Sequence, residues 1–292
     1  MTLAGRVALV TGGGRGIGAA TAHALAHAGA AVFVVARTES EVAGIAEAIR
    51  ARGGRAAYAR ADVADAASVG AAVEACAAQL GAPRILVHAA GVYGPIGRTW
   101  EVDADAWWRA QEINVRGTLL ACRAVLPAMI AAGHGRIINL SGGGATSPLA
   151  RFSAYAASKA AVVRLTETLA EEVRAFGVTV NAIAPGAVDT RLQDEVLAAG
   201  PRAGDLYERI RRLRESGEGG VPAELAAALA VFLSSDAAAD VTGKLISAPH
   251  DGWREWDAER MRELGESAWL TLRRMDPHTL RPLLAALEEV RA

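Results

Sequence analysis

The sequence predicts an α/β fold, a doubly wound parallel sheet in a single domain that is followed by a C-terminal extension. Two observations lead to this prediction. Short apolar segments rich in β-formers alternate with Ala-rich helical segments from residue 6 to residue 247, and such alternation is typical of a parallel sheet covered on both faces. The chain has 292 residues, of which 52% are hydrophobic, enough for one large core.

The alternation predicts seven strands and six main helices. The strands are expected near residues 6–11, 31–36, 55–60, 84–88, 135–141, 178–183 and 244–247. The helices are expected near residues 16–28, 39–52, 66–80, 104–131, 154–175 and 222–234. The second strand is apolar throughout, as expected for a parallel strand that is buried on both faces.

A glycine-rich turn joins the first strand to the first helix. Gly12, Gly16 and Gly18 let the backbone turn tightly, approach a pyrophosphate and pack the helix on the sheet. The helix N-terminus then offers unpaired N–H groups and a positive dipole end to the phosphates. A glycine turn placed between strand and helix, in a unit of about 30 residues, therefore predicts a Rossmann-like dinucleotide site.

Tyr155 and Lys159 are the most informative pair in the chain. Lys159 and Lys244 are the only two lysines among 31 Lys and Arg residues, so a lysine here indicates a role that arginine fills poorly. Residues four apart share one face of a helix. An ammonium beside a phenol lowers the pKa of the phenol, so we expect Tyr155 to exchange protons near neutral pH.

These motifs together resemble those of the classical short-chain dehydrogenases/reductases. The patterns Thr11-Gly12-x-x-x-Gly16-x-Gly18 and Tyr155-x-x-x-Lys159 carry the resemblance, which covers roughly residues 5–247. It implies a set of cofactor-binding residues along the chain: Thr11, Gly12, Gly16, Ile17, Gly18, Asp62, Val63, Ala90, Gly91, Tyr155, Lys159, Pro185, Gly186, Val188 and Thr190.

The resemblance also implies an activity and a mechanism. The chain is expected to be an NAD(P)-dependent oxidoreductase that interconverts a ketone and a secondary alcohol. Tyr155 would exchange a proton with the substrate oxygen, Lys159 would hold the nicotinamide ribose, and Asn114 would position a water. Two alternatives stay open: an epimerase or dehydratase that uses a keto intermediate, and a nucleotide-binding regulatory protein without catalysis.

The chain departs from the family pattern at the usual catalytic serine. That serine lies thirteen residues before the tyrosine, where this chain has Gly142. Ser141 lies one residue earlier, and a shift of one residue points a strand side chain to the opposite face. Either the glycines let the strand bulge and re-aim Ser141 as a catalytic residue, or Ser141 is structural and Ser153, Ser147 or Tyr155 alone polarises the substrate. Loss of one such donor commonly costs ~10²–10³ in rate.

A second departure lies at the end of the fourth strand. His88-Ala89-Ala90-Gly91 replaces the two Asn residues that the family usually places before Ala-Gly. Those side chains brace the central sheet, and a ring nitrogen of His88 could do the same. A catalytic His88 is the alternative.

The end of the second strand favours NADP(H) over NAD(H). NAD-binding proteins place an acidic residue there for the ribose 2′-hydroxyl, but this chain has Ala36, followed by Arg37 and Thr38. Arg15 in the glycine turn could face the same pocket. Two guanidiniums without a carboxylate suit a 2′-phosphate, unless both are solvated surface residues.

Residues 190–220 are predicted to form a substrate lid with glycine hinges. The arginines of this segment include Arg202, Arg209, Arg211, Arg212 and Arg214. They could bind an anionic substrate, or they could form a polar helix face.

The chain beyond residue 252 is the least family-like part. We expect residues 1–252 to form the nucleotide-binding and catalytic domain, and residues 253–292 to form an extension over the body or a subunit interface. Leu264, Trp269, Leu270 and Leu272 could pack on the body, and residues 279–291 could form a short helix.

The remaining composition narrows the partners and the location. The net charge is −1, which gives no basic tail for nucleic acid. Cys76 and Cys122 lie in helical segments and are expected to be buried and unpaired, and His23 with His27 lacks further metal ligands. We find no signal peptide and no apolar run of ~20 residues. These observations predict a cytoplasmic enzyme without metal or membrane contact, and the resemblance implies a homodimer or homotetramer.

Overall fold

The computed structural model describes residues 2–217 and 220–274. It shows a seven-stranded, fully parallel sheet in the order β3-β2-β1-β4-β5-β6-β7. The strands are β1 Val7–Thr11, β2 Ala31–Ala36, β3 Ala56–Arg60, β4 Ile85–His88, β5 Gly135–Leu140, β6 Val178–Ala184 and β7 Leu245–Ser247. The predicted strands are thus confirmed within one or two residues, because buried parallel strands are continuous apolar segments.

The helices connect these strands on both faces of the sheet. They are α1 Gly16–His27, α2 Glu39–Ala51, α3 Ala66–Gln79, α4 Ala104–Gln111, α5 Gly117–Ala131, α6 Ser153–Val173, α7 Arg191–Ala199, α8 Asp205–Ser216, α9 Ala223–Ser234 and α10 Ala258–Glu266. Asp65, Asp103 and Asp257 each accept a backbone N–H at the start of a helix, the usual role of an aspartate at an N-cap.

Two apolar layers hold the helices on the sheet. On one face, Leu25 of α1 and Leu229 of α9 pack with Val10 and Ile138 of the sheet. On the other face, residues of α3, α5 and α6 pack with Leu9 and further strand residues. Both layers are fully buried, so the doubly wound arrangement that the sequence predicts is confirmed.

The segment predicted as one helix over residues 104–131 is interrupted in its middle. A π-helical turn, Glu112–Arg116, separates α4 from α5 and carries Asn114. Single π turns inside α-helices are frequent at functional sites. By length and composition, Ala104–Ala131 is also the one helical run of the described chain that could cross a membrane. The expectation that no segment reaches this length is therefore too strict, although buried core helices also pass the test.

The first part of the C-terminal extension packs on the body. Trp253 is 4% exposed, and its Nε1 donates to the Ala248 oxygen at 3.1 Å. Leu264 is buried, and the Leu270 oxygen accepts the Leu245 N–H at 2.7 Å, so the extension pairs with the edge strand β7. Leu272 and Trp269 are partly buried. The helix predicted over 279–291 lies outside the described residues.

Candidate active site

The glycine turn is closed by contacts that leave no room for side chains. A Cβ on Gly12 would lie 2.6 Å from the Ala90 nitrogen, and a Cβ on Gly18 would overlap the Gly12 oxygen. Gly12 and Gly16 both have positive φ, 63° and 53°, which favours glycine. The start of α1 has no acidic residue and no side-chain cap. These features fit a pyrophosphate held by backbone N–H groups.

The Thr11 hydroxyl makes its hydrogen bond within the sheet and not within the glycine turn. Its Oγ1 lies 2.9 Å from Nδ1 of His88, which joins the ends of β1 and β4. Burial, followed by the charge of Lys159, lowers the pKa of His88 to about 3. His88 therefore stays neutral near pH 7 and braces the central sheet. This supports the structural interpretation of His88 over the catalytic one.

Asp62 and Val63 lie beside the fourth-strand motif, as the resemblance implies. Asp62 Oδ1 accepts the Ala64 N–H at 2.9 Å. Val63 packs with Ile113 and Ala90 in a small apolar cluster. The segments after β3 and β4 thereby form one wall at the carboxyl edge of the sheet, next to the switch in strand order where ligands bind in open α/β sheets.

Asn114 is held by a buried hydrogen-bond network. Its Oδ1 accepts the Val92 N–H at 2.9 Å, and its Nδ2 donates to the Val92 oxygen and to Ser158 Oγ, both at 2.8 Å. The π turn places this side chain beside Gly91, where a Cβ would lie 3.3 Å from Asn114 Oδ1 and 3.4 Å from Lys159 Nζ. The structure thus brings Asn114, Lys159 and Gly91 together.

Tyr155 and Lys159 lie on one face of α6, against the end of β5. Lys159 Nζ donates to the Leu140 oxygen at 2.7 Å and lies 5.6 Å from the centroid of the Tyr155 ring. Burial lowers the pKa of Lys159 to about 8. Burial raises the pKa of Tyr155 above its ordinary value of 10, and the neighbouring Tyr93 adds to the increase.

The prediction that Lys159 lowers the pKa of Tyr155 is therefore wrong in direction. The sequence argument counted the charge of the ammonium but not the loss of water around the phenol, which favours the neutral form. Tyr155 is consequently a neutral phenol near pH 7, able to donate its proton.

Gly142 lies directly against the Tyr155 hydroxyl. A Cβ on Gly142 would overlap the Tyr155 Oη, so a serine at this position requires the tyrosine to move. Ser141 is 3% exposed, its N–H pairs with the Ile183 oxygen, and its Oγ has no hydrogen-bond partner among the described residues. The family's serine position is thus filled by the tyrosine itself, and the role of Ser141 stays a prediction.

A carboxylate that the sequence argument missed stands beside the glycine turn. Glu41, in the first turn of α2, lies 3.6 Å from Arg15 and 3.7 Å from Arg191. A Cβ on Gly14 would lie 3.1 Å from Glu41 Oε2. Arg37 has no hydrogen bond or ion pair among the residues described, and Thr38 caps α2 without a side-chain bond. The guanidiniums of Arg15 and Arg191 and the carboxylate of Glu41 therefore lie together beside the glycine turn.

The loop after β6 faces the glycine turn. Thr190 Cγ2 would lie 3.2 Å from a Cβ on Gly16. Val188 forms a bridge to Val221, and its oxygen accepts Gln193 Nε2 at 2.8 Å. Gly186 has a φ of 82° beside the buried Pro185. The loop is thus anchored at one end and reaches the nucleotide side at the other.

Four arginines of residues 190–220 fall into two groups, those that make contacts on the surface and one that lines a cleft. Arg211 and Arg214 form surface ion pairs with Glu208, Glu215, Asp189 and Asp194, and Arg212 Nε donates to the Glu208 oxygen. These residues fit the polar-face interpretation. Arg202 instead lines a cleft of about 590 Å³.

Aromatic rings connect this cleft to Tyr155. The Tyr93 ring lies 4.7 Å from the Tyr155 ring and 5.1 Å from Phe152, edge to face in both cases. Residues of α7, α8 and the loop after β4 complete the same apolar cluster. Sequence reasoning missed Tyr93, which carries no motif and acts through position alone.

No cluster of three or more potential metal ligands occurs within residues 2–217 and 220–274. His23 and His27 lie on one face of α1. Cys76 and Cys122 are buried and unpaired, and burial raises the pKa of each thiol to about 12. These cysteines are apolar core residues, as predicted.

Comparison with known proteins gives the family. The sequence model described as short chain dehydrogenase matches residues 6–200. The chain is similar to cis-4-hydroxycyclohexanecarboxylate dehydrogenase of Sinomonas cyclohexanicum, at 41% identity over 83% of this chain and 94% of that protein. It is also similar to D-threitol dehydrogenase of Mycolicibacterium smegmatis, at 43% identity over 82% and 90%.

A solved structure agrees with these relatives. NAD⁺-bound xylitol dehydrogenase matches with a TM-score of 0.79 at 26% identity, over 85% of this chain and 98% of that chain. Fold, glycine turn and sequence relatives therefore converge. The chain belongs to the classical short-chain dehydrogenase/reductase family and is an NAD(P)-dependent oxidoreductase that acts on small alcohol or carbonyl substrates.

Proposed function

We propose that Tyr155 is the acid/base of a reaction that interconverts a secondary alcohol and a ketone, with NADP(H) preferred. The observation that carries this proposal is the position of Lys159 at the carboxyl edge of the sheet, beside the Tyr155 ring on one side and beside Asn114 and Gly91 on the other. The dehydrogenase and reductase names of the relatives favour redox turnover over the epimerase, dehydratase and regulatory alternatives.

The residues present fit a dinucleotide at this edge. The glycine turn and the start of α1 would hold the pyrophosphate, the wall of Asp62, Val63 and Ala90 would flank the adenine, and residues 185–190 would border the nicotinamide. When bound, the nicotinamide supplies or accepts the hydride. Lys159 would hold the ribose, because a compact ammonium can reach a hydroxyl.

The protein residues then move the proton. In reduction, the Tyr155 hydroxyl donates its proton to the substrate oxygen. In oxidation, Tyr155 would first release its proton to water in the site, and the phenolate would then take the proton of the substrate hydroxyl. Asn114, held on Val92 and Ser158, would position a water that exchanges protons with the site. Ser141 would assist only if its hydroxyl turned towards the substrate.

The preference for NADP(H) rests on Arg15 in the glycine turn and on Arg37 and Thr38, which follow the second strand. Glu41 opposes it by pairing with Arg15, and the xylitol dehydrogenase neighbour carries NAD⁺. We therefore expect a preference that is modest, measured as the ratio of kcat/KM with NADPH to that with NADH. Equal efficiencies with the two cofactors would contradict it.

The remaining assignments belong to the same proposal. We assign residues 1–252 to the catalytic domain, with a lid at about 190–220, and residues 253–292 to an extension. We also propose a cytoplasmic homo-oligomer, a dimer or tetramer, with a substrate that carries a negative charge.

Turnover tests the central claim. Purified protein is mixed with NADPH and a panel of ketones, and with NADP⁺ and secondary alcohols, while the nicotinamide absorbance is followed. Tyr155→Phe should lower kcat by about 10²–10⁴ and retain NADPH binding, whereas Tyr58→Phe on β3 should not change kcat. Undiminished turnover by Tyr155→Phe, or tight NADPH binding by the wild type without turnover of any compound, would overturn the proposal.

A further inference from the structure

Two arginines of the cleft beside Tyr155, Arg151 and Arg202, have no role in the site described above. The cleft has a volume of about 590 Å³, and Arg98, Arg151 and Arg202 line it together with Glu101, Asp103 and Glu195. Its inner wall is continuous with the active site, because Ile96 of the cleft packs in the same apolar cluster as Tyr93 and Tyr155. The cleft and Tyr155 are therefore in contact with the same apolar cluster.

Two of the three carboxylates of the cleft, those of Glu101 and Asp103, already have a partner, whereas Glu195 has none among the described residues. Glu101 pairs with Arg98 at 3.1 Å, and Asp103 caps α4 by accepting the Ala106 N–H at 2.7 Å. Burial raises the pKa of Glu195, while the charges of Arg15 and Arg191 on the nucleotide side oppose the increase. None of the three forms an ion pair with Arg151 or Arg202 among the described residues.

The guanidiniums of Arg151 and Arg202 have no partner charge among the described residues. Arg202 Nε makes one long bond of 3.4 Å to the Ala199 oxygen. The Arg151 guanidinium has no hydrogen bond or ion pair within the part of the chain that the structure describes. Arg151 is half-buried and Arg202 is exposed, and both line the cleft, so an anion bound there would be attracted by two positive charges.

The backbone holds Arg151 in a costly position. Its φ is 74°, a left-handed conformation that disfavours residues with a Cβ. Its oxygen accepts the Gly97 N–H at 2.9 Å, which ties it to the opposite wall, and its Cγ would lie 3.3 Å from a Cβ on Gly204. Strain of this kind is often retained where a side chain has a functional role.

We infer that Arg151 and Arg202 form a subsite for the carboxylate of a hydroxy acid or keto acid substrate, whose reacting oxygen lies at Tyr155. This inference rests on the proposed function and specifies its substrate class. A planar guanidinium matches a carboxylate through two parallel hydrogen bonds, so the pair would orient the substrate as well as attract it.

Matched substrates test the subsite. cis-4-Hydroxycyclohexanecarboxylate is compared with its methyl ester, which has the same ring and hydroxyl but no charge. The wild type should favour the acid by at least about 10-fold in kcat/KM, and Arg202→Gln or Arg151→Asn should lower kcat/KM for the acid by about 10–100-fold, mainly through KM. Asn tolerates the left-handed backbone at position 151, and values for the ester should stay unchanged.

Controls separate charge recognition from a structural effect. Arg211→Gln on the outer face of α8 should leave both substrates unaffected. Calorimetry with cyclohexanecarboxylate, which cannot be oxidised at a hydroxyl, should show binding by the wild type that weakens in both cleft variants and with added salt. Equal use of acid and ester by the wild type, or equal losses on both substrates in the variants, would overturn the subsite.

The two proposals fail in different ways. If the ester and other neutral alcohols react through Tyr155 without any preference for the acid, only the subsite is wrong. If no alcohol reacts but cyclohexanecarboxylate binds and the cleft variants weaken it, the subsite stands and the proposed reaction is wrong.

Discussion

The chain's two lysines are alike in burial, in their hydrogen bonds and in the direction of their pKa shifts, but they lie in different parts of the molecule. Lys159 is 5% exposed and Lys244 is 2% exposed. Each donates to a backbone oxygen, that of Leu140 or that of Ser267, and burial lowers the pKa of each to about 8. A perturbed pKa therefore does not by itself identify the catalytic lysine.

The neighbours make the distinction. Lys159 adjoins the Tyr155 ring and Gly91 at the carboxyl edge of the sheet. Lys244 directly precedes β7. Its Nζ donates to the Ser267 oxygen in the C-terminal extension, and the charges of Arg174 and Glu167 affect its pKa. The Lys159 region is the proposed site of the chemistry, and the Lys244 region fixes a segment of the C-terminal extension.

Replacing each lysine by methionine should give the largest difference between the two regions. Lys159→Met should lower kcat by at least about 10²-fold, because it removes the charge beside the acid/base. Lys244→Met should keep kcat within a few-fold of the wild type. The measurement is steady-state turnover under identical conditions, and a similar loss in both variants would show that the two regions are not functionally distinct.

Adjacent glycines sharpen the definition of the catalytic region. Gly142→Ala should lower kcat by about 10²-fold, since its Cβ overlaps the Tyr155 hydroxyl and displacing a reacting group by 1 Å costs about this much. Gly143→Ala, whose Cβ meets no atom within 4 Å, should have little effect. Full activity of Gly142→Ala would mean that Tyr155 reacts from another position.

The pH dependence of stability should be shared by both lysine regions. A buried lysine with a folded pKa of about 8 and an ordinary pKa of 10.5 binds fewer protons folded than unfolded between these values, so stability rises with pH across this window. Below about pH 8 the full cost of burying the charge is present. Lys159→Met should therefore be more stable than the wild type by roughly 2 kcal/mol at pH 7.

That advantage should shrink as the pH approaches 10. Denaturant unfolding of Lys159→Met, Lys244→Met and the wild type at pH 7, 9 and 10 measures it. A difference in the free energy of unfolding that stays constant with pH would show that burying the charged lysine has no free-energy cost.

The smallest expected effect concerns the nucleotide side. Glu41→Gln releases Arg15 from its ion pair and should raise the ratio of kcat/KM with NADPH to that with NADH by about 3–10-fold, as expected for one partly exposed charge pair. Glu39→Gln, in the same helical turn, is the control. An unchanged ratio in Glu41→Gln would exclude Glu41 from cofactor choice.

The nucleotide half of the fold could be predicted closely from the sequence. Continuous apolar segments gave the strands, and the spacing of Gly12, Gly16 and Gly18 gave a turn whose contacts exclude side chains. These features depend on residues close in sequence. The π turn at Asn114 was not predictable, because it needs only one extra residue in a helix and no particular residue type marks it.

The sequence predicted that Tyr155 and Lys159 share one face of a helix, but not the electrostatics of that face. The direction of the Tyr155 pKa shift depends on burial by residues distant in sequence, among them Tyr93. Glu41 was overlooked because it lies five residues beyond the strand end, Ala36, that the acidic-residue rule inspects, and the first turn of α2 brings it back to Arg15.

The sequence by itself determined the parallel sheet, the glycine turn and the tyrosine–lysine helix, because periodicity, glycine conformation and helical spacing are local properties. Only the tertiary structure decided which charges face one another. It placed Arg151 and Arg202 in one cleft, assigned Lys159 and Lys244 to different regions, and set the tyrosine hydroxyl against Gly142. Burial and charge pairing arise when distant segments pack together, and they set the pKa and the charge state of a side chain.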